Sequence, residues 1–184
     1  MSAELSGRRI AIIATDGFEE AELTEPRKAV TEAGATADVV SISADPIQAM
    51  SGDIDKSDTY SVDVVASKAS AADYDALIMP GGTINADTLR VDPDVRAFVT
   101  GFFDAGKPVG VICHAPWTLV EADLVRGRTL TSFPSIRTDI RNAGGTVVDQ
   151  EVVRDGGLVS SRNPDDLPAF CAAIVEEFAK APSR

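Results

Sequence analysis

The chain has 184 residues, 44% of them apolar and 25% charged, which is typical of a folded globular domain rather than a disordered protein. Its 17 basic and 29 acidic side chains give a net charge of −12, so nucleic acid and anionic membranes are poor candidate partners. Two cysteines and one histidine are too few for a disulfide framework or a His/Cys metal site. No apolar run approaches the roughly 20 residues of a membrane span, and residues 1–6 lack a signal-peptide core, so we expect a cytoplasmic protein.

The first part of the chain predicts a β-α-β unit. Residues 9–14 form a continuous apolar run, as in a strand buried on both faces, and residues 22–34 have helical spacing that ends at Gly34. Residues 37–42 predict the second strand, so the two strands are expected to be parallel. Residues 45–70 are polar and interrupted, and we expect a small hairpin or excursion at the sheet edge.

The α/β alternation then resumes and continues to the C-terminus. Apolar runs predict strands over 76–79, 108–112, 146–153 and 158–160. Helical periodicity predicts helices over 94–105, 115–124, 136–142 and 165–180. We therefore expect one doubly wound α/β domain over residues 1–184, ordered from about 8 to 182, with a mostly parallel sheet between two layers of helices.

Three loops follow strands whose carboxyl ends meet at one edge of the predicted sheet, where α/β proteins bind ligands. Residues 15–22 carry a cluster of carboxylates, residues 80–87 carry a Gly-Gly pair, and residues 113–116 carry the only Cys-His pair. Neither a dinucleotide-binding glycine motif nor a phosphate-binding loop is present, so we expect no nucleotide cofactor, and we expect no metal.

Cys113 is the candidate nucleophile because it lies between a predicted strand and a predicted helix. Such a junction makes a sharp turn that exposes the side chain, and a helix N-terminus favours the thiolate. The alternative is an inert buried thiol, which most cysteines are. Cys171 lies in the apolar stripe of the last predicted helix, where the core interpretation is preferred.

Several neighbours of Cys113 have two readings. His114 is the sole candidate for an imidazole base, or it is a polar residue on the rim of the site. Glu19, Glu20 and Glu22 either interact with a helix N-terminus, or one of them faces the cysteine, in which case its pKa rises and it donates a hydrogen bond to the thiolate. The pair at residues 81–82 either supplies a backbone N–H to an oxyanion or forms a plain tight turn.

Four motifs in order along the chain resemble the ThiJ/PfpI family, and within it the intracellular protease I branch. They are DGFEEAEL at residues 16–23, MPGG at 79–82, ICHAP at 112–116 and SRNPDDLP at 161–168. The resemblance covers nearly the whole chain. It implies a flavodoxin-like three-layer sandwich of the class I glutamine amidotransferase-like group. Those amidotransferases use a histidine far downstream of the cysteine, which this chain lacks, so glutamine hydrolysis is not expected.

The resemblance also implies roles for individual residues. Cys113 is the nucleophile, Glu22 the carboxyl that hydrogen-bonds it, and His114 the partner imidazole. The oxyanion amides are those of Gly82 and His114. Ala115 stands where many relatives have glycine, with its amide left available, and Gly81 and Gly82 complete the substrate-binding loop. An acidic third member, which the family supplies from a neighbouring subunit, matches Asp87 across a one-residue gap.

The expected function is a cytoplasmic hydrolase of the intracellular protease I type with a role in stress tolerance. Cys113 attacks a carbonyl carbon of a peptide or a small carbonyl substrate, without a cofactor, in a homo-oligomer. The first alternative is a glyoxalase or deglycase acting on methylglyoxal or glycated proteins. The second is a redox sensor or holdase chaperone that uses oxidation of Cys113.

Overall fold

The computed structural model describes residues 4–181, so residues 1–3 and 182–184, at the ends of the predicted domain, lie outside the described residues. The strands are β1 (Arg9–Ile13), β2 (Phe18–Glu19), β3 (Thr36–Ser41), β4 (Ile47–Ser51), β5 (Asp55–Tyr60), β6 (Val64–Val65), β7 (Ala76–Met79), β8 (Val109–Ile112), β9 (Thr129–Leu130), β10 (Thr146–Val147), β11 (Val153–Asp155) and β12 (Leu158–Ser161). The α-helices are α1 (Glu20–Glu32), α2 (Thr83–Val91), α3 (Pro93–Asp104), α4 (Pro116–Glu121), α5 (Arg137–Asn142) and α6 (Leu167–Lys180).

A seven-stranded sheet forms the centre of the fold, in the order β11-β12-β8-β7-β1-β3-β6. Its strand pairs are parallel except β11 with β12, which form an antiparallel hairpin at one edge. β1 lies in the interior of this sheet, with Ile10 beside Ala37 of β3 and Ala76 of β7. The predicted mostly parallel, doubly wound sheet is confirmed.

Helices cover both faces of the sheet, and alternate residues of β1 show why. Ile10 and Ile12 pack into a core cluster with Leu23 of α1 and Phe170 of α6. Ala11 and Ile13 belong to the cluster on the opposite face, with the apolar residues Leu89 of α2, Val95, Phe98, Val99 and Phe102 of α3, Leu119 of α4 and Ile140 of α5. Because β1 is buried on both faces from Ile10 to Ile13, it is apolar over those residues instead of alternating. The predicted three-layer sandwich is therefore confirmed.

The segment 45–70 contains more regular structure than its polar sequence indicates. β4 and β5 form an antiparallel hairpin that joins β2 in a separate three-stranded sheet, and only β6 lies at the edge of the main sheet. Glu20 holds the hairpin against α1, since its carboxylate accepts hydrogen bonds from Ser57 and Tyr60. These polar contacts hold β5, whereas β4 packs into the core through Ile47 and Ala49.

Two further predictions are corrected. The loop predicted over residues 80–87 turns into helix α2 at Thr83, immediately after Gly82, whose φ of 91° is in the left-handed region. The strand predicted over residues 146–153 is two short strands in different sheets, β10 and β11. Asp149 lies between these two strands and accepts hydrogen bonds from Arg137 and Arg162. Side-chain contacts, and not strand pairing, therefore hold this part of the chain.

Candidate active site

Cys113 occupies a strained turn between β8 and α4. Its φ of 62° is in the left-handed region, which costs an ordinary L-residue free energy. Both of its backbone polar groups are held: its N–H donates to the Ser161 carbonyl at 3.1 Å, and its carbonyl accepts from Phe133 N–H at 2.9 Å. The predicted sharp junction is present, but the side chain is only 6% exposed and does not point into open solvent.

The imidazole of His114 lies directly beside the thiol. Nδ1 is 3.1 Å from Cys113 Sγ, and Nε2 is 3.1 Å from Ser135 Oγ. The ring stacks on Phe133 with centroids 4.5 Å apart, which fixes its plane. Burial lowers the pKa of His114 below its usual value, and the charge of Asp53 opposes this effect without cancelling it. A neutral imidazole in this place can accept the thiol proton.

Glu22 is a buried carboxyl on the first turn of α1, on the other side of the cysteine. Its Oε2 accepts a hydrogen bond from Gly81 N–H at 2.7 Å, and Oε1 has no hydrogen-bond partner within residues 4–181. Burial raises the pKa of Glu22 to about 8, and the charge of Glu19 contributes, against the lowering effects of Gly81 N–H and the Cys113 thiol. Glu22 therefore holds a proton at neutral pH, on the acid side of that pKa.

The same surroundings oppose ionisation of Cys113. Burial raises the pKa of the thiol above its usual value, and ionisation of Glu22 would raise it further, while the N–H groups of Gly82 and His114 lower it. The predicted thiolate-favouring helix terminus does not dominate here, because α4 is a short helix and the sulfur is buried. The arrangement suits a thiol that loses its proton to His114 during attack.

The four candidate amides have different surroundings. The N–H groups of Gly82 and His114 lower the pKa of the Cys113 thiol, and their role in holding an oxyanion stays a prediction. The amide of Gly81 is used by Glu22, and that of Ala115 donates to the Ile112 carbonyl at 3.1 Å. Ala115 N–H is thus part of the turn and is not available to an oxyanion, which corrects the expectation for this residue.

The glycine loop is positioned by close packing and by one buried amide side chain. A Cβ on Gly81 would lie 2.5 Å from Glu22 Oε2 and 2.6 Å from Cys113 Cβ, so only glycine fits between the two groups. Asn85 of α2 donates to the carbonyls of Pro80 and Gly81 and accepts from Thr15 N–H. Asn85 thereby ties the loop after β7 to the loop after β1.

A cavity of about 170 Å³ opens onto the cysteine. Its lining includes Glu22, Asp53, Gly82, Cys113, His114 and Phe133. Asp53 belongs to the hairpin segment and carried no functional signal in the sequence, since only the tertiary fold brings that hairpin over the site. Asp87 is exposed on α2 and does not line this cavity; its role across a subunit boundary stays a prediction.

Outside this cavity, we considered the second cysteine, possible metal ligands and possible membrane-spanning helices. Cys171 is half-buried in a groove between α1 and α6, so the core position predicted for it is only partly correct. Across residues 4–181, no three His, Cys, Asp or Glu side chains converge to hold a metal ion. The helices in that range are all too short or too polar to span a bilayer.

A cysteine at a strand–helix junction, with an imidazole at hydrogen-bond distance and a buried carboxyl nearby, defines a cysteine-centred site on an α/β fold. The model of the DJ-1/PfpI family matches residues 8–177. A solved two-domain protein from Anabaena variabilis ATCC 29413, with DJ-1/ThiJ/PfpI-like and ferritin-like domains, superposes with a TM-score of 0.86 at 31% identity, over 92% of this chain and 47% of that one.

Three bacterial relatives match over nearly their full length. “Putative cysteine protease YraA” of Bacillus subtilis (strain 168) is 40% identical, over 89% of this chain and 94% of its own. “Protein/nucleic acid deglycase 2” of Escherichia coli (strain K12) is 40% identical, over 89% and 93%. “General stress protein 18” of Bacillus subtilis (strain 168) is 43% identical, over 89% and 94%. The chain belongs to the DJ-1/PfpI family, as its motifs predict.

Proposed function

We propose that the protein is a cysteine-dependent hydrolase in which Cys113 attacks a carbonyl carbon. The observation that carries this proposal is the 3.1 Å contact between Cys113 Sγ and His114 Nδ1, beside a cavity that admits a small group. A nucleophile and a base within hydrogen-bond distance are the minimum apparatus of covalent catalysis. The family includes proteins named as cysteine protease and as deglycase, which is consistent with chemistry at a thiol.

The proposed acylation step uses groups already in contact. Cys113 Sγ forms a bond to the substrate carbonyl carbon while its proton moves to His114 Nδ1. The resulting oxyanion accepts hydrogen bonds from the N–H groups of Gly82 and His114. His114 then gives the proton to the leaving nitrogen as the carbon–nitrogen bond breaks, and a thioester remains.

Deacylation reverses the roles with water as the nucleophile. Water gives a proton to His114 and bonds to the thioester carbon. The carbon–sulfur bond breaks, and His114 returns the proton to Cys113 Sγ. Glu22 keeps its own proton throughout at neutral pH, so no second negative charge lies next to the sulfur.

A second candidate, a glyoxalase or deglycase reaction, is favoured by the size of the cavity. About 170 Å³ accommodates a small aldehyde more readily than a peptide segment with side chains. In this reaction the thiol adds to the aldehyde carbon of methylglyoxal or a sugar adduct, and Glu22 or His114 moves the proton. We place either activity in the cytoplasm, with a role in stress tolerance.

The test is a substrate panel of peptides, methylglyoxal and glycated peptides, with the wild type, Cys113→Ser and the control Cys171→Ser. We expect turnover of at least one substrate class to be lost in Cys113→Ser and kept in Cys171→Ser. Hydrolysis of peptides alone supports the first candidate, and conversion of methylglyoxal or glycated peptides alone supports the second. No turnover, with peroxide oxidising Cys113 selectively, would favour the sensor. Holdase activity that survives Cys113→Ser would favour a chaperone that does not need the thiol.

A further inference from the structure

The tip of the β4–β5 hairpin is held in a fixed position beside the site. Glu19 accepts hydrogen bonds from the backbone N–H groups of Gly52 and Asp53, both at 3.0 Å. Asp53 has a φ of 67°, a left-handed conformation that aspartate and asparagine tolerate better than most residues. Its side chain lines the cavity that contains Cys113 and His114.

Asp53 is joined to the histidine by one intervening residue. The carboxylate accepts a hydrogen bond from Thr83 N–H at 2.8 Å and a second from the Thr83 hydroxyl. Thr83 Oγ1 is in turn 3.4 Å from His114 Nε2. The contacts therefore run in sequence from Asp53 through Thr83 and His114 to Cys113 Sγ.

The number of hydrogens available in this series of contacts determines which group donates in each hydrogen bond. A hydroxyl has one hydrogen and a carboxylate has none, so Thr83 must donate to Asp53. Towards His114 the hydroxyl oxygen can then only accept, which requires the imidazole hydrogen to be on Nε2. Nδ1 is left with its lone pair directed at Cys113 Sγ.

We propose that Asp53, acting through Thr83, is the acidic positioning residue of the site and fixes His114 in the Nε2–H form. The inference rests on the proposed function, because that tautomer matters only if Nδ1 accepts the Cys113 proton. It provides a positioning acid within one chain, whereas the role considered for Asp87 needs a neighbouring subunit. Ser135 does not set the tautomer, since it is exposed and its hydroxyl can either donate to Nε2 or accept from it.

The single histidine allows a direct test. ¹⁵N-histidine labelling gives one pair of ring nitrogen signals, whose chemical shifts distinguish the two neutral tautomers. We expect the Nε2–H form in the wild type, and Nδ1 as the nitrogen that gains a proton on acidification. The Nδ1–H form in the wild type would overturn the proposal.

Substitutions test which group donates in each of these hydrogen bonds. In Asp53→Asn the amide can donate to Thr83 Oγ1 and free its hydroxyl to donate to Nε2, so we expect a shift to the Nδ1–H form. Asparagine also tolerates the left-handed backbone, so the hairpin tip is retained. Thr83→Val removes the link and should give mixed tautomers, whereas Thr83→Ser keeps the hydroxyl and the wild-type spectrum. Asp55→Asn, exposed on the same hairpin, is the matched control.

Kinetics separate failure of this inference from failure of the proposed function. On a substrate turned over by the wild type, we expect kcat of Asp53→Asn and Thr83→Val to fall about tenfold to a hundredfold with KM unchanged. If turnover depends on Cys113 but Asp53→Asn changes neither the turnover nor the tautomer, the inference is overturned and the proposed function stands. A tautomer that switches in Asp53→Asn, in a protein without turnover on any substrate, supports the positioning and overturns the proposed function.

Discussion

At the scale of single residues, the buried carboxyl of Glu22 has the clearest energetic consequence. Its pKa is about 8 in the folded protein, because burial disfavours the charged form, against about 4.5 for an ordinary glutamate. Below pH 4.5 both the folded and the unfolded chain hold the proton, and the full stabilisation is present. As pH rises from about 4.5 to about 8, only the unfolded chain loses the proton, so this contribution to stability is lost across that window.

We predict that Glu22→Gln weakens the decline of folding stability over that pH range, because glutamine is neutral at every pH. The slope removed is up to about 1.4 kcal/mol per pH unit, the value for one proton. Urea unfolding at pH 5, 6, 7 and 8 measures it. Glu25→Gln, exposed on the same helix, is the control, and equal slopes in wild type and Glu22→Gln would show that Glu22 ionises normally when folded.

At the scale of elements, the β4–β5 hairpin shows where sequence reasoning reached its limit. Buried strands are indicated by continuous apolar runs, such as those around Ile12, Ile78 and Val111, because both faces of such a strand are covered. β5 carries no such pattern, since its side chains are mostly exposed or half-buried and its placement depends on polar contacts with Glu20. The sequence does not predict helix α2, because the glycines before it indicate a turn. The turn is present, but it ends at Gly82, and the helix begins at Thr83.

We predict that Glu19→Gln loosens the hairpin tip, because its carboxylate accepts two backbone hydrogen bonds there. Hydrogen bonds to a charged group contribute roughly 1.5–3 kcal/mol, so part of this is lost. Amide hydrogen exchange at Gly52 and Asp53 should accelerate at least about tenfold, since each 1.4 kcal/mol of local opening free energy is a factor of ten. Glu20→Gln, which contacts the far end of β5, should leave those two amides unchanged, and unchanged exchange in Glu19→Gln would contradict the prediction.

At the scale of the whole molecule, an exposed stripe on α2 is a candidate surface for self-association. Ile84 and Val91 are 54% and 66% exposed, and with exposed Asp87 they follow the i, i+3, i+7 spacing of one helix face. Covering these two side chains with a second copy of the chain would remove apolar surface from water, which favours association. The net charge of −12 on each copy opposes association, so the contact should strengthen with salt.

We predict a homo-oligomer that depends on this stripe. Size-exclusion chromatography with light scattering at about 0.15 M and about 0.5 M salt should give a mass above that of one chain, and a larger one at the higher salt. Ile84→Lys with Val91→Lys should shift the mass towards the monomer, because charges then replace the apolar contact. Ala97→Lys, on the exposed side of α3, is the control, and a monomeric wild type at both salt concentrations would overturn the prediction.

The sequence by itself determined the order of the main strands and helices, the family, and the grouping of Cys113, His114 and Glu22 at one sheet edge. It could do so because buried strands and amphipathic helices leave local periodic patterns, and because the carboxyl ends of parallel strands meet at one edge. Only the tertiary structure decided that Cys113 is buried, that the amide of Ala115 is used within the turn, and that Asp53 reaches His114 through Thr83. The Ala115 contact is local but depends on the exact geometry of the turn. The burial of Cys113 and the link from Asp53 depend on solvent exclusion and on contacts between residues about 30 to 60 positions apart in the chain, which leave no local sequence pattern.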